Sequence, residues 1–164
     1  MSAKYANKVI AVEPNPLAYQ ALQKNVKLNG FSNVRSVNMA AWSSSGKARL
    51  YLSSSHVVST LKYDMMNEYI YDNSIEVETI TLDQLLSQEL EINLLKIDVE
   101  GAEVEALKGS NEVLNKTKRI IVEVRKGQTD KEVLDILGKH NFKVIAIDDF
   151  GHFMNLIAEK DRGS

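Results

Sequence analysis

Acidic residues at the ends of apolar runs are where this sequence could do chemistry. The stretch Leu95-Lys96-Ile97-Asp98-Val99-Glu100-Gly101-Ala102-Glu103 puts three carboxylates within six residues. Its first half is strand-like and Gly101 leads into a helical pattern, so the acids sit at a strand-to-helix turn. Asp98 then points into the crevice beyond the strand, and Gly101 permits a tight turn or the close approach of a ligand. Glu13 and Glu123 lie at or near the ends of two other apolar runs. Ligands of open α/β sheets bind beyond the carboxyl ends of the strands, so acids on three separate strands suggest one shared polar site. An acid at the end of the second strand can hydrogen-bond both hydroxyls of a ribose, which gives Glu13 a specific job. The plainer alternative for Glu13 is a solvated carboxylate before a helix N-terminus. Helix capping and solvation account in the same way for Glu100 and Glu103, and less well for Asp98.

These acids need a scaffold, and the hydrophobic pattern supplies one. Lys8 to Val12 reads as a buried strand. Asn15 caps the next helix, with Pro16 at its first position, Leu17, Ala21, Leu22 and Val26 on one face, and Gly30 at its C-terminal cap. Further strands are expected at 34–38, 48–52, 75–80, 93–98, 119–124, 143–147 and 153–158. Helices are expected at 82–90, from 101 to about 115, and at 130–140. Residues 53–73 are polar and aromatic without a period, and so long a connection is often functional. Strands alternating with helices imply right-handed crossovers and a mainly parallel sheet. No helix separates the last two strands, so an antiparallel hairpin is expected there, turning across Asp148 to Gly151. Residues 1–164 read as one α/β domain.

Composition narrows the class. The 164 residues are 44% hydrophobic and 26% charged, with a net charge of −2. That balance fits a soluble domain able to bury its own core, and gives no general pull toward nucleic acid or anionic membrane. The basic run Lys116-Thr117-Lys118-Arg119 falls where a helix should end, and cations there complement the helix dipole. There is no cysteine, so thiolate sites and disulfides are excluded, and no metal site is expected. No apolar run is long enough to span a bilayer, and the N-terminus has no signal core. The chain reads as soluble and cytoplasmic.

The run from Leu95 to Glu103 resembles the signature of the FkbM family of S-adenosylmethionine-dependent methyltransferases. The likeness extends over nearly the whole chain. Val9-Ile10-Ala11-Val12-Glu13-Pro14-Asn15-Pro16 is similar to the family's second strand and its acidic end. Asn38-Met39-Ala40-Ala41-Trp42, followed by Gly46, resembles its third strand and turn. Thr79-Ile80-Thr81-Leu82-Asp83-Gln84-Leu85-Leu86 resembles its threonine-leucine-aspartate segment, and Asn155-Leu156-Ile157-Ala158 its closing strand. This implies a Rossmann-like class I methyltransferase fold with S-adenosylmethionine as cofactor. Glu13 would hold the ribose, Asn38, Met39, Ala40, Ala41 and Trp42 would border the adenine, and Asp98 would lie near the methionine end or the acceptor. The acceptor would be a hydroxyl of a small molecule or saccharide. Asp98, Glu100 and Glu123, in that order, are the candidates to orient or deprotonate it. His56 lies where an acceptor could be gripped, although an ordinary surface histidine is the simpler account of it. Two other functions stay open: a non-catalytic methyltransferase-like subunit or interaction module, and a nicotinamide-dependent enzyme with a similar sheet.

The family pattern opens with a strand and a glycine-rich turn, which the acid of the next strand follows roughly 20 residues later. Glu13 comes too early for that, and no two glycines stand as Gly-x-Gly. Residues 1–7 look like the tail of a first helix. The first strand would lie between the Val9 and Leu94 strands, so the expected domain is N-terminally truncated at the centre of its sheet. Those two strands are then expected to pair directly, to receive a strand from another chain in a homo-oligomer, or to belong to a longer native protein. This form is expected to hold S-adenosylmethionine weakly or not at all, because the glycine turn brings backbone N–H groups to the cofactor.

Overall fold

Short apolar runs bounded by turn residues become strands, and the computed structural model describes them over residues 2–53, 59–62 and 71–161. A 3₁₀ turn at Ser2–Lys4 precedes β1 (Val9–Val12), α1 (Pro16–Leu28), β2 (Val34–Val37) and β3 (Ala40–Ala41). Next come β4 (Gly46–Ser53), β5 (Ser59–Thr60), β6 (Tyr71–Ile80), α2 (Leu82–Leu85) and β7 (Ile92–Ile97). The chain continues through α3 (Glu103–Lys108), α4 (Asn111–Lys116), β8 (Thr117–Arg125), α5 (Asp130–Lys139), β9 (Phe142–Asp149) and β10 (Phe153–Lys160). The fold is α/β, as expected. Among the described residues no helix is long and apolar enough to cross a membrane.

The sheet expectation needs correction. Among the described residues three separate sheets form in place of one mainly parallel sheet, in the orders β1-β2, β7-β8-β10-β9 and β3-β6-β4-β5. Parallel pairs join β1 to β2, β7 to β8 and β3 to β6. Antiparallel pairs join β8 to β10, β10 to β9, β4 to β5 and β4 to β6. The physical reason is connection length. Helix α1 lets β2 return parallel to β1, and α3 with α4 lets β8 return parallel to β7, while the short turn between β9 and β10 folds them antiparallel; β6 comes to lie parallel to β3, and β10 antiparallel to β8, by way of the intervening strands. The closing hairpin is present, but β10 inserts between β8 and β9 and leaves β9 outermost. Strand also enters the stretch expected to be irregular, since β4 runs through Ser53, β5 covers Ser59–Thr60 and β6 begins at Tyr71. Polar Asn73 and Ser74 lie before the strand expected from residue 75, yet in β6 they pair with Leu52 and Tyr51 of β4.

Two helix expectations change for local reasons. The helix expected at 82–90 is a single turn, capped by Thr81, whose side chain accepts the Gln84 N–H. The helix expected from 101 to 115 is two short ones, broken at Gly109 and Ser110. There the chain packs directly on the end of β3: a Cβ at Gly109 would lie 2.1 Å from the Trp42 carbonyl oxygen. Helix α1 starts as expected, with the Asn15 side chain accepting the Leu17 N–H and Gly30 in a left-handed conformation at its end. Its inner face differs. Leu17 is exposed, and Tyr19, Leu22 and Val26 are the half-buried positions.

The main core lies on the four-stranded sheet that holds β7. Alternation along β8 buries Ile120, Val122 and Val124, joined by Leu107, Leu114 and Leu156, and that same alternation puts Glu123 on the other face. A second cluster, Ala40, Leu50 and Val77, sits in the sheet of β3 to β6. Replacing Gly109 by alanine should therefore force these two units apart. Gly109→Ala is expected to cost about 2 kcal/mol and to lower the thermal midpoint by about 6 °C. Gly138→Ala, where added bulk meets nothing within 4 Å, should leave the midpoint unchanged or slightly raised. Equal midpoints for Gly109→Ala and the unaltered chain would remove the close approach.

Candidate active site

Strands β1 and β7 stand on two sides of a cavity of about 1050 Å³. Among the described residues β1 pairs only with β2 and β7 only with β8, so the two strands do not pair with each other. Backbone groups on the cavity side of each strand are left for water or a ligand. Every residue of β1 is half-buried, and Leu94 of β7 is 50% exposed.

The polar groups of the cavity collect at the carboxyl ends of these strands. Glu13 ends β1, and its Oε1 accepts the Asn15 N–H at 2.8 Å. Burial pushes this carboxyl above its ordinary value, and the N–H bond opposes that rise. The Asn38 side-chain amide donates to the carbonyls of Glu13 and Pro14, at 2.7 and 3.1 Å, and ties the end of β2 to the end of β1. Ala40 and Ala41 of β3 line the cavity with small side chains.

At the end of β7, Asp98, Glu100 and Glu123 each bring a carboxylate oxygen within 4.8 Å of the others. Parallel register sets this up, because Ile97 lies beside Val122 and the next residues on the two strands are Asp98 and Glu123. Carboxylates so close repel one another unless a proton or a cation sits among them. The Glu100 carboxyl is pushed up to about 7, first by burial and then by the charges of Asp98, Glu123 and Glu103, with Arg125 opposing. Glu123 is raised as well, by burial and by Asp98. Asp98 is the exposed member and pairs with Lys96 at 2.7 Å.

The helix dipole does not hold Glu100 and Glu103 ionised, contrary to the plainer expectation for them. Helix α3 has only six residues and its dipole is weak. Glu103 is 2% exposed and burial raises its carboxyl. Glu103 also serves a different group than a helix cap would. Its Oε1 accepts the Gly101 N–H at 2.7 Å. That bond closes a turn with φ of +50° at Glu100 and +95° at Gly101. The left-handed region costs a non-glycine residue energy, so the surroundings must hold Glu100 in place.

Of the residues expected in the site, Glu13, Ala40, Ala41, Asp98 and Glu100 line the cavity, and Glu123 joins through the acid cluster. Asn38, Met39 and Trp42 do not form its wall. Trp42 donates its backbone N–H to Ile80, and the Lys62 ammonium lies 5.8 Å from its ring centre. His56 lies outside the described residues. Ser59 and Thr60, which sequence reasoning passed over, reach the site from β5. Ser59 accepts from the Asn15 side chain at 3.2 Å, and Thr60 donates to the Glu100 carbonyl at 2.6 Å. A two-residue strand inside a polar stretch carries no periodic signal that could have found them.

Residues 2–161 match the model of the FkbM methyltransferase domain. The chain belongs to the FkbM methyltransferase family. A hexuronic acid methyltransferase, AglP of Haloferax volcanii, is 31% identical over 138 residues, 80% of this chain and 53% of that protein. The methyltransferase sdnD of Sordaria araneosa is 33% identical over 143 residues, 68% of this chain and 55% of that protein. The chain thus spans about half the length of these relatives. The crystal structure of an FkbM methyltransferase from Methylobacillus flagellatus aligns with a TM-score of 0.65 at 16% identity, over 93% of this chain and 36% of that one. A ribosomal protein L11 methylase from Lactobacillus delbrueckii subsp. bulgaricus aligns at 0.52 and 11% identity, over 95% of this chain and 60% of that one. These structural likenesses concern the fold.

The raised Glu100 of this FkbM domain makes its stability depend on pH. Below its ordinary value, 4.5, Glu100 is protonated whether the chain is folded or not. Above about 7 it is ionised in both states, and only the folded chain bears the crowding. Stability from this group is therefore lost as pH rises through that window. Glu100→Gln should raise the thermal midpoint at pH 8 by about 3 °C. That corresponds to about 1 kcal/mol after allowance for solvent screening of a half-exposed group. At pH 4.5 it should change the midpoint little. An equal effect at both pH values would contradict the raised carboxyl.

Proposed function

We propose that this FkbM domain forms the catalytic crevice of an S-adenosylmethionine-dependent O-methyltransferase, with Glu100 as the proton acceptor. The observation that carries the reading is a carboxyl poised near neutrality on the wall of the cavity between β1 and β7. When bound, S-adenosylmethionine would supply an electrophilic methyl group on its sulfonium, and the residues of the cavity would hold the donor and the acceptor oxygen in line for its transfer. The cavity residues fit such a ligand. Glu13 has one oxygen committed to the Asn15 N–H, and its other oxygen is available to ribose hydroxyls. Ala40 and Ala41 line the cavity and leave room for a flat base, while Asn38 acts from outside the wall by tying the ends of β1 and β2 together. Asp98 then faces the methionine end or the acceptor.

Glu100 moves ahead of Asp98 as the base. A general base works best with a pKa near the working pH, and Glu100 sits at about 7, while Asp98 is engaged by Lys96. Glu100 takes the acceptor's hydroxyl proton. Asp98 and Glu123 keep its carboxyl avid for that proton by their charge. The acceptor is a hydroxyl of a small molecule or saccharide, and the likeness to a hexuronic acid methyltransferase makes sugar acids the first acceptors to try. The test is transfer of labelled methyl from S-adenosylmethionine at saturating donor. Rates should rise with pH through about 7 and then level off. Glu100→Gln should lower kcat by roughly 10²–10⁴ with the fold intact. Glu100→Gln retaining full turnover would remove Glu100 from this role.

A further inference from the structure

The peptide that joins Glu100 to Gly101 is held at both of its polar groups. Its carbonyl accepts from Thr60 Oγ1 at 2.6 Å, and its N–H donates to Glu103 Oε1 at 2.7 Å. Thr60 is 1% exposed and Glu103 2% exposed, so each bond has a buried side chain on one side, and losing it costs that side chain a partner. The Thr60 hydroxyl also accepts the Lys62 N–H at 2.9 Å. A hydroxyl has one hydrogen to give, and here it goes to Glu100.

The two jaws belong to different parts of the fold. Thr60 lies on β5, in the sheet of β3 to β6. Glu103 opens α3, whose Val104, Ala106 and Leu107 are set in the main core. Between them the chain adopts φ of +50° at a glutamate, a conformation that persists only where its surroundings fix it. Without the clamp, Glu100 would relax and its carboxylate would turn away from Asp98 and Glu123 toward water.

We infer that Thr60 and Glu103 are positioning residues that clamp the Glu100–Gly101 peptide and so hold the Glu100 carboxylate against Asp98 and Glu123. This rests on Glu100 being the proton acceptor, and it goes further by assigning work to two residues outside the cavity lining. The clamp also makes the acid turn depend on how the β5 sheet sits against the main core. Four groups surround the Glu100 carboxyl electrostatically: Asp98 from the turn after β7, Glu123 and Arg125 from β8, and Glu103 from α3. Thr60 carries no charge, so its replacement reports on position alone.

Amide hydrogen exchange on the full chain tests the clamp without turnover, so its failure is separable from failure of the catalytic reading. In the unaltered protein the Gly101 N–H should exchange at least about a hundredfold slower than an open amide. Thr60→Val and Glu103→Ala should each speed it by about tenfold or more, while Thr60→Ser and Glu103→Gln, which keep the bonding oxygen, should stay near the unaltered rate. Core amides such as Val122 should remain protected throughout. Thr60→Val should also lower the thermal midpoint more at pH 5 than at pH 8, because release relieves an ionised Glu100 only above its titration. An unprotected Gly101 amide in the unaltered protein overturns the proposal even if every variant fails to fold. So does a Gly101 rate unchanged by Thr60→Val, or a midpoint drop equal at both pH values.

Discussion

Three carboxylates crowd the ends of two neighbouring strands, and the rest of the site is arranged around that cost. Like charges at such a distance cannot all ionise freely, so one of them must give way. The burden falls on Glu100 because it is the most confined of the three: Asp98 is exposed and paired with Lys96, and Glu123 feels Lys96 as well. A carboxyl that would titrate near 4.5 is thereby brought to about 7. The peptide that follows it turns through positive φ and is hydrogen-bonded at both ends, and the packing units beside it approach closely. Each is a separate local feature: the turn at Glu100 and Gly101, the bonds from Thr60 and to Glu103, and Gly109 against Trp42.

The division of the fold into three sheets serves this arrangement. The sheet of β7, β8, β10 and β9 carries the acid cluster on its carboxyl edge and the main core beneath it. The pair β1 and β2 carries Glu13 and lies across the cavity. The sheet of β3 to β6 reaches both, through Asn15 to Ser59 and through Thr60 to Glu100. Further bonds join it to α3, as Ser43 donates to Glu105 at 2.6 Å and Lys62 approaches the same carboxylate at 3.9 Å. A shift of that sheet would reach Glu13 and Glu100 together. That is a mechanical link between the two ends of the cavity that no single strand provides.

Much of what lines the candidate site was legible in the sequence. The acids at strand ends are local signals, since a strand's apolar run announces its own end and the next polar residue occupies the crevice. Asn15 with Pro16 and Gly30 marked both ends of α1 for the same local reason. What escaped was set by partners far away in sequence. The break at Gly109 depends on Trp42, the extension of β6 on β4, and the role of Thr60 on a turn 40 residues later. The dipole account of Glu100 and Glu103 failed because burial, invisible in sequence, outweighs a six-residue helix. Placing Glu100 ahead of Asp98 required the register of β7 with β8 and the Lys96 ion pair.

The most direct check is the titration of the Glu100 side chain itself, followed by carboxyl ¹³C NMR in the unaltered chain and assigned with Glu100→Gln. A midpoint near 7, with a second inflection at lower pH from its neighbours Asp98 and Glu123, is the predicted result. A single midpoint near 4.5, the ordinary value, would contradict the crowding on which the proposed base depends.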